Sequence, residues 1–81
     1  MDRSERCGLW IRAHIAEIRA EEARQRSSLN GRREATAAEA VATRTRLVEA
    51  MGEFQGPIWE WAGCTEQELR GAVRAGLNDC D

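Results

Sequence analysis

Residues 4–27, SERCGLWIRAHIAEIRAEEARQRS, decide the fold. Cys7, Trp10, Ile11, His14, Ile15 and Ile18 recur at steps of three and four, the period of one helical face, whereas Arg12, Glu17, Arg19, Glu21, Arg24 and Arg26 fall on the opposite face. Asp2 or Ser4 is the expected N-cap, because a short side-chain oxygen can accept from a free amide of the first turn. At 1.5 Å per residue such a helix is about 35 Å long. That exceeds what the rest of the chain can cover, so its far end is a candidate contact with another molecule.

Reading outward, Ser27-Ser28-Leu29-Asn30-Gly31 is an expected break, since Asn-Gly favours positive φ and the serines compete for backbone hydrogen bonds. A second helix is predicted over 32–54. Its first half carries Ala35, Ala37, Ala38, Ala40 and Ala42, small enough for a neighbouring backbone to come close, and its second half places Val41, Leu47, Val48, Met51 and Phe54 on a core-facing stripe. Two long helices with a short connection form an antiparallel hairpin. Gln55-Gly56-Pro57 ends the second helix and starts a short one over 57–62, which Gly63 terminates. Thr65-Glu66-Gln67-Glu68 is a capping box that opens a last helix over 66–77, with Leu69, Ala72, Val73, Gly76 and Leu77 facing inward. The expected class is all-α, in one domain spanning residues 1–81.

The chain has 81 residues, 42% hydrophobic and 32% charged, with a net charge of -2. Ordering a domain of this size costs on the order of 100 kcal/mol of conformational entropy, so a thin core needs very regular helices or a partner. A homodimer or an obligate binder is therefore expected. No apolar run approaches the roughly 18 residues of a membrane span, and the charged start Met1-Asp2-Arg3-Ser4-Glu5-Arg6 precedes no apolar signal region. A soluble, cytoplasmic protein is expected, and three cysteines (Cys7, Cys64, Cys80) without a Cys-x-x-Cys pair agree with a reducing compartment. Gathering Cys7, His14, Cys64 and Cys80 into a zinc site is disfavoured. Cys7 and His14 are two helical turns apart, unlike the usual i, i+4 pair of ligands, and buried free thiols are the expected alternative.

All twelve basic residues are arginine, as GC-rich codon usage produces; selection for bidentate recognition of carboxylate or phosphate is the other explanation. Their distribution is uneven. Residues 1–46 hold ten Arg against seven acids, net +3, and residues 47–81 hold two Arg against seven acids, net -5. Arg24, Arg26, Arg32 and Arg33 cluster around the inter-helix break with no acid between them, as a clamp for an acidic partner or as a solvated hairpin end complementing a helix dipole.

Catalytic constellations are absent from the sequence: the single histidine, His14, lies on the apolar stripe without a nucleophile at a helical neighbour position, and Glu21 and Glu22 point in different directions. No enzymatic activity, cofactor or metal is expected. Trp59 and Trp61, two apart on a short helix, cannot share a face: either one fills the core while the other lies near the surface as a candidate partner anchor, or the long first helix folds over both and buries them in the core.

Residues 58–73 read as helix, turn, helix, with Gly63 in the turn and Thr65 as cap. Within them, Glu60-Trp61-Ala62-Gly63-Cys64-Thr65 followed by Leu69-Arg70 resembles a short pattern of small helical phage and prophage proteins. The resemblance covers residues 60–70 and implies a mobile-element origin. Glu66 stands where those proteins often carry Pro, and Trp59 stands where a DNA-binding motif wants a small residue. The last helix also exposes Glu66, Glu68, Asp79 and Asp81 against Arg70 and Arg74, a surface that phosphate repels. The sequence thus favours a small non-enzymatic protein, encoded by a phage or other mobile element, that binds a larger protein with an acidic surface, the host's or the element's own, as inhibitor, adaptor or regulator. Its expected partner-binding residues are Arg24, Arg26, Arg32, Arg33, Trp59 and Trp61. The alternatives are a DNA-binding regulator using Arg70 and Arg74, and a structural phage assembly component.

Overall fold

A computed structural model describes residues 1–26 and 30–78, the side chain of Asn30 excepted. Among them the chain is all-α, with α1 (Arg3–Arg26), α2 (Asn30–Met51), α3 (Ile58–Ala62) and α4 (Glu66–Asn78). The expected caps form. Asp2 accepts the Glu5 amide at 2.8 Å, and at the start of α4 the Glu68 amide donates to Thr65 Oγ1 at 3.2 Å while the Thr65 amide reaches Glu68 Oε1 at 3.4 Å. Gly63 ends α3 in the left-handed conformation, at φ 75°.

The expected break falls partly outside the described residues, which omit Ser27, Ser28 and Leu29. Asn30 and Gly31, however, belong to the first turn of α2, and Gly31 has no positive φ. The reason is that a glycine in a first turn gives up little, and Asn is a good helix starter. The other end of α2 is shorter than expected, because Gly52 takes φ 57° and leaves Phe54 beyond the helix.

Helix α1 is the centre of the molecule. It packs antiparallel to α2, and the salt bridge from Arg44 to Glu17 fixes their register. It also carries α3 and α4, which rest on α1 far more than on each other. Arg3 meets Glu68 near the start of α4, and Ile15 meets Gly76 near its end, so α4 runs parallel to α1. The helix-turn-helix expectation is therefore realised in chain order but not in packing: Leu69 and Val73 are buried, yet α3 is too short to serve as their platform.

The core is gathered at one end, from Ala13, Leu47, Trp61, Ala62 and Cys64, with Cys7, Leu9, Trp10, Ala50, Met51 and Ile58 around it. Toward the opposite end the seam is alanine, with Ala16 and Ala23 buried. The face of α1 that is buried deepest is thus the small one, whereas Trp10, Ile11, Ile15 and Ile18 are half-buried. His14, expected in an apolar environment, is exposed. Val41 is 66% exposed and Val48 56%, and Phe54 is exposed as well. One neighbouring helix covers one side of α2, and Thr43, Leu47 and Ala50 take that side, so the valines turn outward.

The α3–α4 turn is held from α1. Three consecutive carbonyls at the end of α3, which lack intrahelical partners, accept from Arg6 Nη1 (Trp61 O, 3.1 Å), Cys7 Sγ (Ala62 O, 3.4 Å) and Arg3 Nε (Gly63 O, 2.5 Å). Arg3 also donates to Glu68 at 2.8 Å, which, with the Thr65 contacts, holds the Glu68 carboxyl below the usual carboxylate range. A lowered carboxyl value contributes stability above the ordinary glutamate range, and that contribution is lost as pH falls through the lowered value. Glu68→Gln keeps an oxygen for the capping box but loses the charge. Its melting temperature is expected to lie below that of the natural chain at neutral pH, with the gap closing as pH falls below the ordinary glutamate range. A gap independent of pH in thermal melts refutes the assignment of the effect to the Arg3 ion pair.

Candidate functional site

The four arginines expected to form one clamp are divided by the hairpin. Consecutive helical residues are turned about 100° from each other, and Arg32 and Arg33 line different grooves. Arg24 and Arg33 line a groove of about 520 Å³ together with Glu17, Glu21 and Glu34. Two of its carboxylates are already paired: Glu21 with Arg24, while accepting from Gln25 at 2.9 Å, and Glu17 with Arg44. The Arg24 contact also holds the Glu21 carboxyl below its ordinary range. Arg26 is exposed at the end of α1 and lines neither this groove nor the one described next.

The other flank is different. A groove of about 560 Å³ runs between α1 and α2, rimmed by Arg12 and Arg19 from α1 and by Arg32 and Arg46 from α2, with Glu39 the one carboxylate lining it among the described residues. None of these four arginines forms an ion pair with a described residue. The floor is made of Ile15, Ala16, Ala35, Thr36 and Thr43, closed at one end by Gly76 of α4. Both threonine hydroxyls are turned back into α2: Thr43 donates to the Glu39 carbonyl at 2.9 Å and Thr36 to the Arg32 carbonyl at 3.0 Å. Their methyl groups therefore complete an apolar floor. The arrangement is an apolar trough between two cationic walls, suited to an anionic ligand with an apolar face.

Only Arg32 of this set was among the residues singled out in the sequence. The signal was spacing rather than adjacency, since Arg12 and Arg19 are seven apart and Arg32 and Arg46 are fourteen apart. Both intervals return to nearly the same side of a helix.

Of the two arrangements the sequence allows, the tryptophans take the divided one. Trp61 is 6% exposed and lies under the Arg6 guanidinium, 5.3 Å from its ring centroid, so it is a core residue and is not presented to a partner. Trp59 is 54% exposed. Phe54 is exposed as well, and its ring lies against Gly56.

Arg70 and Arg74 are exposed on α4 beside a shallow depression of about 310 Å³ that His14 also lines. Arg70 is held by Glu66 at 2.7 Å, and the first turn of α4, the part that would enter a DNA groove, carries Glu66 and Glu68. Cys7 and Cys64 come together, whereas His14 lines the separate α4 depression and Cys80 lies outside the described residues. Burial, followed by the neighbouring Cys7 thiol, pushes the Cys64 thiol up to about 11. Cys64 thus remains a protonated, unreactive thiol at neutral pH. Among the described residues no helix is long and apolar enough to cross a membrane. No protein-family model, curated protein or solved structure matches the chain.

Proposed function

We propose that this chain is a non-enzymatic helical binding protein that docks on the acidic surface of a larger protein, as an inhibitor, adaptor or regulator. The observation that carries the reading is the segregation of charge across the hairpin. On one flank Glu21 is paired with Arg24 and Glu17 with Arg44, and acids balance the arginines, while the other holds Arg12, Arg19, Arg32 and Arg46 around an apolar floor. Unneutralised arginines beside apolar surface are what recognition of an acidic protein requires, and Trp59 adds an exposed aromatic of the kind that anchors interfaces. A phage or mobile-element origin, a cytoplasmic location and self-association through the opposite charges of the two halves belong to the same proposal.

The test is comparative capture. The immobilised chain, its Arg12→Glu/Arg46→Glu variant and its Trp59→Ala variant are exposed to host lysate, and retained proteins are identified by mass spectrometry. The proposal expects an acidic protein retained by the natural chain, weakened by about tenfold or more in the charge-reversed variant and released by moderate salt. Retention indifferent to both variants refutes it. Low-salt binding to mixed-sequence duplex DNA that disappears in Arg70→Ala or Arg74→Ala replaces it with a DNA-binding regulator. Concentration-dependent higher oligomers in light scattering, without a captured protein, replace it with an assembly component.

A further inference from the structure

We infer that the arginine-walled groove seats an acidic amphipathic α-helix of the partner, laid along the hairpin in line with α4. This inference rests on the protein-binding reading and specifies the form of the ligand. The first argument is the shape of the vacant layer. Helix α4 runs parallel to α1 and ends against it where Gly76 meets Ile15, at the edge of the groove. Beyond that point α1 and α2 continue side by side with no third helix over their shared floor among the described residues. A trough floored by alanine and threonine methyl groups lets another helix approach to the usual interaxial distance of about 8–10 Å.

The second argument is charge placement. Arg32 and Arg46 are separated along α2 by about 21 Å at 1.5 Å per residue, the length of a helix of about 14 residues. Arg12 and Arg19 stand on the facing wall. The ligand must therefore offer carboxylates on both flanks of an apolar ridge and repeat them over about four turns, which an acidic amphipathic helix does through its i, i+3, i+4, i+7 spacing. A small anion reaches one wall only. A DNA duplex, about 20 Å across with phosphates on its convex side, leaves the apolar floor uncovered and faces Glu39. The chain's own α4 does not match as the guest from a second copy, because its acids are confined to the first turn and Arg70 and Arg74 follow.

The experiment uses the full chain, isotopically labelled, titrated with four probes: an acidic amphipathic peptide of about 14 residues, its composition-matched scramble, a poly-glutamate of equal length and a short mixed-sequence duplex. The expected result is saturable binding of the amphipathic peptide with amide shifts at Ile15, Ala35, Thr36 and Thr43, gain of peptide helicity, and affinity about tenfold or more above the scramble. Arg46→Glu, and Ala35→Trp, which fills the trough from an exposed position, are each expected to abolish it while leaving the far-ultraviolet helix signal intact. Equal binding of scramble and amphipathic peptide, shifts centred on Phe54 and Trp59, or tighter binding of the duplex overturns the inference. If capture of an acidic protein succeeds in the preceding test while the peptide does not bind here, the docking reading stands and the helix-in-groove inference falls.

Discussion

Trp61→Ala is expected to lower stability by about 3–5 kcal/mol, whereas Trp59→Ala, two residues away, changes it by no more than about 0.5 kcal/mol. The difference follows from where a five-residue helix puts each ring. Trp61 is buried among Ala13, Leu47, Ala62 and Cys64, and the Arg6 side chain closes over it, stacking on the ring and donating to the Trp61 carbonyl. Truncation removes the largest side chain of the core and leaves Arg6 above a void. A domain of this length has a total stability of roughly 4–12 kcal/mol, so the loss consumes a large share of it. At about 4–8 °C per kcal/mol, a fall in melting temperature of at least about 12 °C is expected. Urea titrations followed by circular dichroism check the pair; comparable midpoints for the two variants contradict the assignment of Trp61 to the core and Trp59 to the surface. Trp59→Ala then becomes a clean variant for binding measurements, since its fold is retained.

Much of this architecture was legible in the sequence because it rests on local rules. Asp2, Gly63 and the Thr65–Glu68 box mark helix ends through short-range hydrogen bonds and a backbone conformation that glycine tolerates. The order and approximate limits of the four helices followed from those signals and from periodicity. The phase of burial did not follow. Bulk in α1 points to the stripe of Trp10, Ile11, Ile15 and Ile18, but the buried residues of α1 are Ala13, Ala16 and Ala23. Two helices come closest where side chains are smallest, so the deepest burial falls on residues with the weakest hydrophobic signal. Val41 and Val48 illustrate the converse, being apolar and outward because α2 has a neighbour on one side only. The arginine groove escaped for a related reason. Its walls come from two helices, each supplying two arginines seven or fourteen residues apart, so no two of them are adjacent in the sequence. Adjacency in sequence drew attention instead to Arg24, Arg32 and Arg33, which the hairpin sends to different flanks.

Leu47→Ala is expected to cost about 2–5 kcal/mol, the second large effect, and its partner in the experiment is Ala13. Leu47 is 1% exposed and is, among the described residues, the one large side chain that is wholly enclosed; Ala13, in the same buried cluster on the facing helix, is equally enclosed. Volume is thus supplied from α2 and yielded by α1. Ala13→Leu alone overfills the site, with an expected cost of about 1–3 kcal/mol. In the double variant the new leucine of α1 moves into space vacated on α2. The two effects are then non-additive, and the double variant is expected to be more stable than their sum by about 1 kcal/mol or more, within the range typical of residues sharing a cavity. Chemical denaturation of the natural chain, both single variants and the double variant closes the cycle. Strict additivity means that the two residues do not share one space, which contradicts the register set by Arg44 and Glu17. Val48→Ala, next to Leu47 but turned to solvent, supplies the control, since the same kind of truncation there is expected to change stability by no more than about 0.5 kcal/mol.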